Sequence, residues 1–382
     1  LMAWYGQFSR ARLRELSGRF AGALLDLGVK KGDRVMIYIP NCIQWIIGFL
    51  AIQKMGAVLV PISPIYTSFE IEYMIKDAGV ETVICQDTNF CYVKEVLPST
   101  GLKRIIVTNL ADLLPPWKRY MGVLFDRIPK GNIERDTQVH WFRSFLKHPP
   151  LREKAELDPW KDLSYILYTG GTTGFPKGVP GNHIGMTSYV NDVTEDVAGQ
   201  YLKEGEDVYL AVNPLFHIMA LGLFMAVGLN KGNLTLLMPV PQVDAILACV
   251  QRYKARWMLG VPALYRMILE NDRLDRYDLS SLTYCYCGGD VLPVEVFHRW
   301  KKHTGVQIYQ VYGSTEAGHV TYSRIGREPK PNTIGEPLKS RRCLVADPDT
   351  LQPVPQGDTG ELLVTSPYTI KEYLNKPEET SR

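Results

Sequence analysis

Residues 168–178, YTGGTTGFPKG, continue the apolar run LSYILY. Gly170, Gly171, Gly174 and Gly178 let backbone N–H groups turn inward and approach an anion closely. Thr169, Thr172 and Thr173 add hydroxyl donors, and Lys177 adds a point charge suited to phosphate. So many donors at the end of a strand form the chemistry of a phosphate cradle, with a nucleotide as its natural guest. Two common phosphate motifs are excluded. The P-loop pattern G-x-x-x-x-G-K-[ST] fails because Pro176 precedes the lysine and Gly178 follows it, and G-x-G-x-x-G is not met either. A turn that binds nothing would seldom collect this set.

Three other stretches carry chemistry. YQVYGSTEAG, residues 309–318, ends a strand at an aromatic and continues into small and acidic residues. The face of Tyr312 suits a purine, and the Glu316 carboxylate suits a hard cation, although alone it would also serve as a solvated turn residue. CYCGGDVLP, residues 285–293, sets Gly288, Gly289 and Asp290 after a strand. Cys285 and Cys287 share one face of that strand, since its side-chain period is two. With no second cysteine pair to complete a metal site, they read as core or pocket wall. NPLFHIMALGLFMAVGL, residues 213–229, places His217 in an apolar stretch, where a lone histidine is usually a hydrogen-bonded structural residue.

These stretches need a scaffold. Short β-branched runs recur along the chain: DRVMIYI, AVLVPI, TVICQ, KRIIVT, SYILYT, VYLAVN, LTLLMP, RWMLG, LTYCYCGG and QIYQVYG. Between them, 9–27, 43–55, 68–78, 241–253, 262–271 and 293–304 carry apolar residues at helical spacing. Strands alternating with helices predict an α/β fold with mostly parallel sheets covered on both faces. Residues 113–159 interrupt the rhythm with LPPW, RIPKGN and HPPL and are expected to be an irregular connector. After Gly313 the chain turns to short strands with Pro, Asp and Gly turns. The expected division is a first α/β unit at 1–160, a second carrying the sites at 161–325, and a smaller β-rich unit at 326–382.

At 382 residues the chain exceeds what a single core fills. A charge of +3 with no long basic run argues against a nucleic-acid partner. The seven cysteines lack the spacing of a disulfide framework, which favours a reducing, cytoplasmic setting. CIQWIIGFLAIQKMGAVLVPI is interrupted by Gln44, Gln53, Lys54 and Gly56, whereas a membrane span needs about 20 nearly unbroken apolar residues. It reads as core, and peripheral membrane contact stays open.

Together the chemical stretches resemble the motifs of the adenylate-forming superfamily, which includes acyl-CoA synthetases, aryl-CoA ligases, luciferases and peptide-synthetase adenylation domains. RWMLGVPALYRMIL is similar to the family's strand and Val-Pro helix start, and NTIGEPL with GELLVTSPYTIKEYLNKPEET to its closing β-rich section. The likeness covers nearly the whole chain in the family's order. It implies the family's large N-terminal domain: two stacked α/β subdomains plus a smaller β-rich one.

The resemblance also implies roles. The glycine loop from Thr169 to Lys177 would hold the phosphates of ATP, Tyr312 with Gly313 the adenine, Thr315 a phosphate oxygen and Glu316 the magnesium ion. Gly288, Gly289 and Asp290 would line the nucleotide site and the neighbouring acyl pocket. Phe216, His217, Met219, Leu221 and Gly288 would form the substrate side, with His217 as a gate beside the reacting carboxylate. Amino-acid-activating members carry Asp where this chain has His217, and the residues from Ile218 to Leu221 are apolar. That offers an ammonium no partner and a hydrocarbon good company.

The implied substrate is a carboxylic, most like a fatty, acid. Its carboxylate would attack the α-phosphate of ATP to give an acyl-adenylate and pyrophosphate, followed by transfer to coenzyme A. Lys177, Thr315, Glu316 and His217 form the expected catalytic set. An aryl-CoA ligase, an acyl-AMP ligase and a silent nucleotide- or lipid-binding module are the alternatives. The presence of both Lys177 and Glu316 speaks against the last. The chain stops at NKPEETSR, before the family's ribose-binding Asp, hinge and small C-terminal catalytic domain, and it starts late. A truncated chain weak in thioester formation is therefore expected.

Overall fold

A computed structural model describes residues 2–3, 6–124, 128–134, 136–170 and 175–381. All ten apolar runs are strands. One sheet has seven strands in the spatial order Val139–Trp141, Arg104–Thr108, Thr82–Gln86, Arg34–Tyr38, Val58–Pro61, Leu163–Thr169 and Lys177–Asn182. Its pairings are parallel except the last. The other sheet has nine strands. Its centre, Ile308–Ser314, Tyr284–Cys287, Trp257–Gly260, Val208–Ala211 and Leu234–Leu237, is parallel and continues in parallel to Met2–Ala3. Antiparallel strands close both edges: Gly318–Tyr322 with Glu336–Pro337 at one, Gly6–Gln7 at the other. Arg342–Ala346 and Glu361–Thr365 form a separate antiparallel pair.

The helices follow their sequence signals. Ile43–Met55 ends at Gly56, which takes φ 67°, the left-handed cap that glycine reaches without strain. Ser68–Ala78 opens with a capping box in which the Glu70 carboxylate accepts from the Thr67 backbone. Alternation along the strands sorts their side chains into three apolar clusters. Val35 and Ile37 of the first sheet join Tyr209, Trp257, Leu259 and Tyr286 of the second in one of them. Leu210, Met258, Cys285 and Cys287 face a second cluster, and Met36, Tyr38, Val83 and Cys85 a third. No described helix is long and apolar enough to cross a membrane.

Two expectations need correction. The stretch 113–159 is not wholly irregular, since it holds the helix Pro116–Leu124, the edge strand Val139–Trp141 and the short helix Phe142–Phe145. Nor do the sheets divide at residue 160. The hairpin Leu163–Asn182 completes the first sheet, Met2–Ala3 joins the second, and Glu336–Pro337 extends the second rather than a separate unit. Hydrogen-bonding partners distant in sequence, not chain order, decide membership.

Asn41 ties the two halves together. Its side-chain amide donates to the Asn213 carbonyl at 2.8 Å and its oxygen accepts from the Leu215 N–H at 2.8 Å, with the residue only 6% exposed. Asn41→Ala strands two interior backbone groups and should cost about 1–3 kcal/mol. Urea unfolding checks this; an unchanged midpoint would mean that the two groups find other partners.

Candidate active site

The described residues on either side of the glycine loop pair as an antiparallel hairpin, with Thr169 opposite Lys177 and Tyr168 opposite Gly178. Gly171, Thr172, Thr173 and Gly174 lie outside the described residues, while Gly170 is exposed at the edge of the tip. The helix Ser68–Ala78 braces the hairpin. Phe175 stacks on Tyr73 with ring centroids 4.6 Å apart, and the Tyr73 hydroxyl donates to the Pro176 carbonyl at 3.0 Å. The Tyr168 hydroxyl donates to Asp77 at 2.7 Å. Sequence reading missed this brace, although Phe69, Tyr73 and Asp77 recur at four-residue spacing on one helix face.

Lys177 leaves the hairpin to pair with Glu379 at 2.6 Å, and its ammonium sits 4.9 Å from the centre of the Tyr373 ring. The Tyr373 hydroxyl donates to the Glu316 carboxylate at 2.8 Å. Lys177 and Glu316, assigned from separate stretches, thus contact one phenol, the lysine at its ring and the glutamate at its hydroxyl. Burial first, then the bond to Glu316, pushes the Tyr373 pKa up to about 12. Backbone bonds hold the segment in place: Ile370 N–H to the Glu316 carbonyl at 3.0 Å and Leu374 N–H to the Gly178 carbonyl at 2.8 Å. Tyr373 and Glu379 were missed, because a Tyr in a turn and a Glu in a polar run carry no distinguishing signal.

Glu316 stands in the turn between Ile308–Ser314 and Gly318–Tyr322, whose register shifts between Tyr312 and Gly313. A side-chain carbon at Gly313 would lie 2.1 Å from the Gly318 carbonyl oxygen. Only glycine fits there. Tyr312 is 41% exposed, its ring available for stacking, and Thr315 is half-buried beside Glu316. A carbon on Gly288 would come 2.6 Å from a Val311 methyl and 3.2 Å from the Met219 sulfur, so this glycine lets two strands and a helix converge. Gly289 adopts φ 86°, and the exposed Asp290 accepts from the Val291 N–H at 2.7 Å.

His217 caps the helix Ile218–Leu223, and its carbonyl accepts from the Leu221 N–H at 3.0 Å. Its ring lies 4.5 Å from that of Phe216; the residue is exposed to solvent, and what desolvation its neighbours impose moves its pKa down. Neither Phe216 nor His217 lines the cavity next to this helix. Met219 and Leu223, one turn apart, line a cavity with Tyr189, Val193, Trp257, Leu259, Tyr286, Val311 and His319. Leu221 does not line it. It points from the other side of the helix into the core with no exposed surface. Cys285 and Cys287 are also not cavity wall: Tyr286 between them faces the cavity, so strand alternation turns both away. Tyr189, Trp257, Tyr286 and His319 were missed because the elements that bring them together are far apart in sequence.

A separate cavity of about 640 Å³, lined by Arg119, Lys130, Arg143 and Trp141, lies past the ends of Thr82–Gln86 and Arg104–Thr108 and shares no residue with this cluster. Among the described residues no group of three or more His, Cys, Asp or Glu could hold a metal.

Residues 2–374 match the family described as AMP-binding enzyme. A long-chain-fatty-acid–CoA ligase of Bacillus subtilis (strain 168) is 33% identical over 373 residues, covering 95% of this chain and 65% of the relative. A 4-coumarate-CoA ligase 1 of Narcissus pseudonarcissus is 29% identical over 377 residues, covering 96% and 64%. The chain thus spans less than two thirds of the length of these curated relatives. The crystal structure of the anthranilate CoA ligase AuaEII in complex with anthranoyl-AMP superposes with a TM-score of 0.87 at 22% identity, over 99% of this chain and 68% of that one. That likeness is one of fold.

If Tyr373 is the link between hairpin and turn, Tyr373→Ala should raise amide hydrogen exchange across 370–381 by about tenfold or more and leave Trp257–Gly260 unchanged. Parental exchange in that segment would show that backbone bonds alone hold it.

Proposed function

The chain belongs to the AMP-binding enzyme family, and from that premise we propose that it activates a carboxylic acid with ATP to an acyl-adenylate, the acyl group then passing to coenzyme A. The observation that carries this reading is the convergence of Lys177 and Glu316 on Tyr373, which brings a phosphate-seeking cation and a metal-seeking carboxylate to one place.

A carboxylic acid with a pKa of about 4 is already ionised at neutral pH, so no general base is needed. The obstacle is repulsion between the carboxylate and the triphosphate, which calls for positioning and charge. The substrate oxygen bonds the α-phosphorus as the bond to the bridging oxygen of pyrophosphate breaks. In this reading Lys177, Thr169, Gly170 and the neighbouring loop residues Gly171 to Gly174 receive the phosphates. Tyr312 and Gly313 receive adenine, Thr315 a phosphate oxygen, and Gly288 to Asp290 the join between nucleotide and acyl group. Magnesium is commonly held by one or two carboxylates together with substrate phosphates, and the single carboxylate of Glu316 fits that habit. The metal would neutralise charge on the departing pyrophosphate. His217, beside Phe216 and next to the helix that carries Met219, would stand as a gate beside the reacting carboxylate.

A fatty acid is the first substrate class, supported by the aliphatic lining from Met219, Leu223, Val193 and Leu259 and by the relative named for such acids. A second reading, an aryl acid, is favoured by the rings of Tyr189, Trp257 and Tyr286 around the same space. A reducing, cytoplasmic setting belongs to the proposal, supported by seven cysteines that are all free.

The test is ATP–pyrophosphate exchange across a panel of alkyl and aryl acids. Exchange should depend on the acid, and Lys177→Ala and Glu316→Gln should each lower it by about a hundredfold or more. Unchanged ATP affinity and rate in Lys177→Ala would refute the role given to the hairpin.

A further inference from the structure

The strand pair Arg342–Ala346 and Glu361–Thr365 joins neither large sheet, yet the segment that follows it carries Tyr373 and Glu379 to the charged cluster. At the end of the pair where Arg342 lies opposite Thr365, a charged side chain goes inward. Arg341 is 6% exposed. Its Nη1 donates to the Ser366 hydroxyl at 3.0 Å and to the Ser340 hydroxyl at 2.9 Å. Its Nη2 lies 3.4 Å from one oxygen of the Asp192 carboxylate, and the Ser340 hydroxyl donates to the other at 2.7 Å. Asp192 is buried too, on the stretch Asp192–Val197 that continues the helix His183–Asn191.

A buried ion pair is a poor stabiliser, since desolvation can cancel the Coulomb gain and apolar replacements of similar shape are often neutral or better. This one is also incompletely bonded. Among the described residues Nε of Arg341 has no hydrogen-bond partner, and the approach of Nη2 to Asp192 is an ion-pair contact rather than a hydrogen bond. What the guanidinium does is join chain segments. Gly318, at φ 66°, brings the turn of Glu316 so close that a side-chain carbon there would stand 3.5 Å from Nη2. The Ser366 hydroxyl, held by Nη1, accepts in turn from the Tyr368 N–H at 3.2 Å. That bond shapes the chain just before Ile370, whose N–H reaches the Glu316 carbonyl at 3.0 Å. We propose that Arg341, held by Asp192, is a positioning residue that sets Glu316 against Tyr373 by fixing the two segments that carry them. The proposal rests on the acid-activating reading above for its purpose and adds a residue that lies outside both the glycine loop and the turn of Glu316.

The experiment pairs amide hydrogen exchange with a magnesium titration of ATP–pyrophosphate exchange, both on the 382-residue chain. Asp192→Asn/Arg341→Met removes both charges at nearly constant shape, so its melting temperature should match or exceed the parent's. Amide exchange at 316–320 and 366–373 should nevertheless rise about tenfold, with Trp257–Gly260 unchanged. The magnesium concentration at half-saturation should rise about fivefold while the rate at saturating magnesium falls less than about twofold, because a displaced carboxylate weakens binding before it affects chemistry. If the double variant fails to fold, Ser366→Ala cuts only the link to the second segment and should raise exchange at 366–373 about threefold, leaving 316–320 unchanged. Parental exchange in these segments, a uniform rise that includes Trp257–Gly260, or an unchanged magnesium midpoint in an active variant overturns the proposal. Absence of any acid-dependent pyrophosphate exchange in the parent chain sinks the adenylation reading instead, and hydrogen exchange then decides by itself whether Arg341 fixes the two segments.

Discussion

A parallel sheet cannot leave a face in water, because its crossover helices and its nearly continuous apolar strands demand cover on both sides. Two such sheets in one chain meet that demand most directly by sharing an apolar layer. Phe20 and Trp45 of the helices Arg10–Asp26 and Ile43–Met55 lie in one cluster with Ile37 of the first sheet and Trp257 of the second. The hairpin that carries Lys177 grows from the first sheet and the turn that carries Glu316 from the second. Their separation is therefore set by a close-packed interior, which resists deformation, rather than by the loops themselves.

Within that frame, glycines permit the close approaches that the site needs. Val311 and Met219 occupy the place where a side chain on Gly288 would stand, and the Gly318 carbonyl the place of one on Gly313. The first lets the helix Ile218–Leu223 lie against the strand that leads to Tyr312. The second allows the register shift that swings Glu316 toward Tyr373. The cavity beside Met219 and the charged cluster are thus built on one strand, Ile308–Ser314, and a change in its path moves both.

Much of this was legible in sequence because its signals are local. TVICQ and the helices at 43–55 and 68–78 follow from β-branched runs, apolar periodicity and capping residues that need no distant partner. The glycine loop and the turn around Glu316 suggested their chemistry from local sequence for the same reason. What escaped depends on chain segments far apart. Lys177–Asn182, rich in Gly and Pro, is a strand only because Leu163–Thr169 lies beside it. Tyr373 and Glu379 matter only through what they touch. Leu221 was misread because composition says a helix is apolar but not which face meets the cavity. Cys285 and Cys287 were rightly placed on one face, but that it was the face away from the cavity depended on Tyr286 and the sheet's neighbours.

The charged cluster also sets a condition on any nucleotide that enters it. Lys177 and Glu316 are already engaged, one with Glu379 and the other with Tyr373. A phosphate can take the place of Glu379 beside Lys177 without leaving the ammonium uncompensated, since one anion replaces another. Glu316 is different. The Tyr373 phenol, with its pKa pushed up to about 12, keeps its proton and cannot turn into a metal ligand at neutral pH. A cation arriving at Glu316 must compete with the phenol's donated proton or move the hydroxyl aside. Tyr373 also supplies the ring over which Lys177 rests. Displacing its hydroxyl for a metal therefore disturbs the support of the lysine, and drawing the lysine toward a phosphate that replaces Glu379 disturbs the support of the phenol. If each ligand loosens what the other must displace, the two bind with positive coupling, and that coupling is reciprocal. Under the proposed function, the phosphates and the metal that accompanies them would be admitted together more readily than either alone.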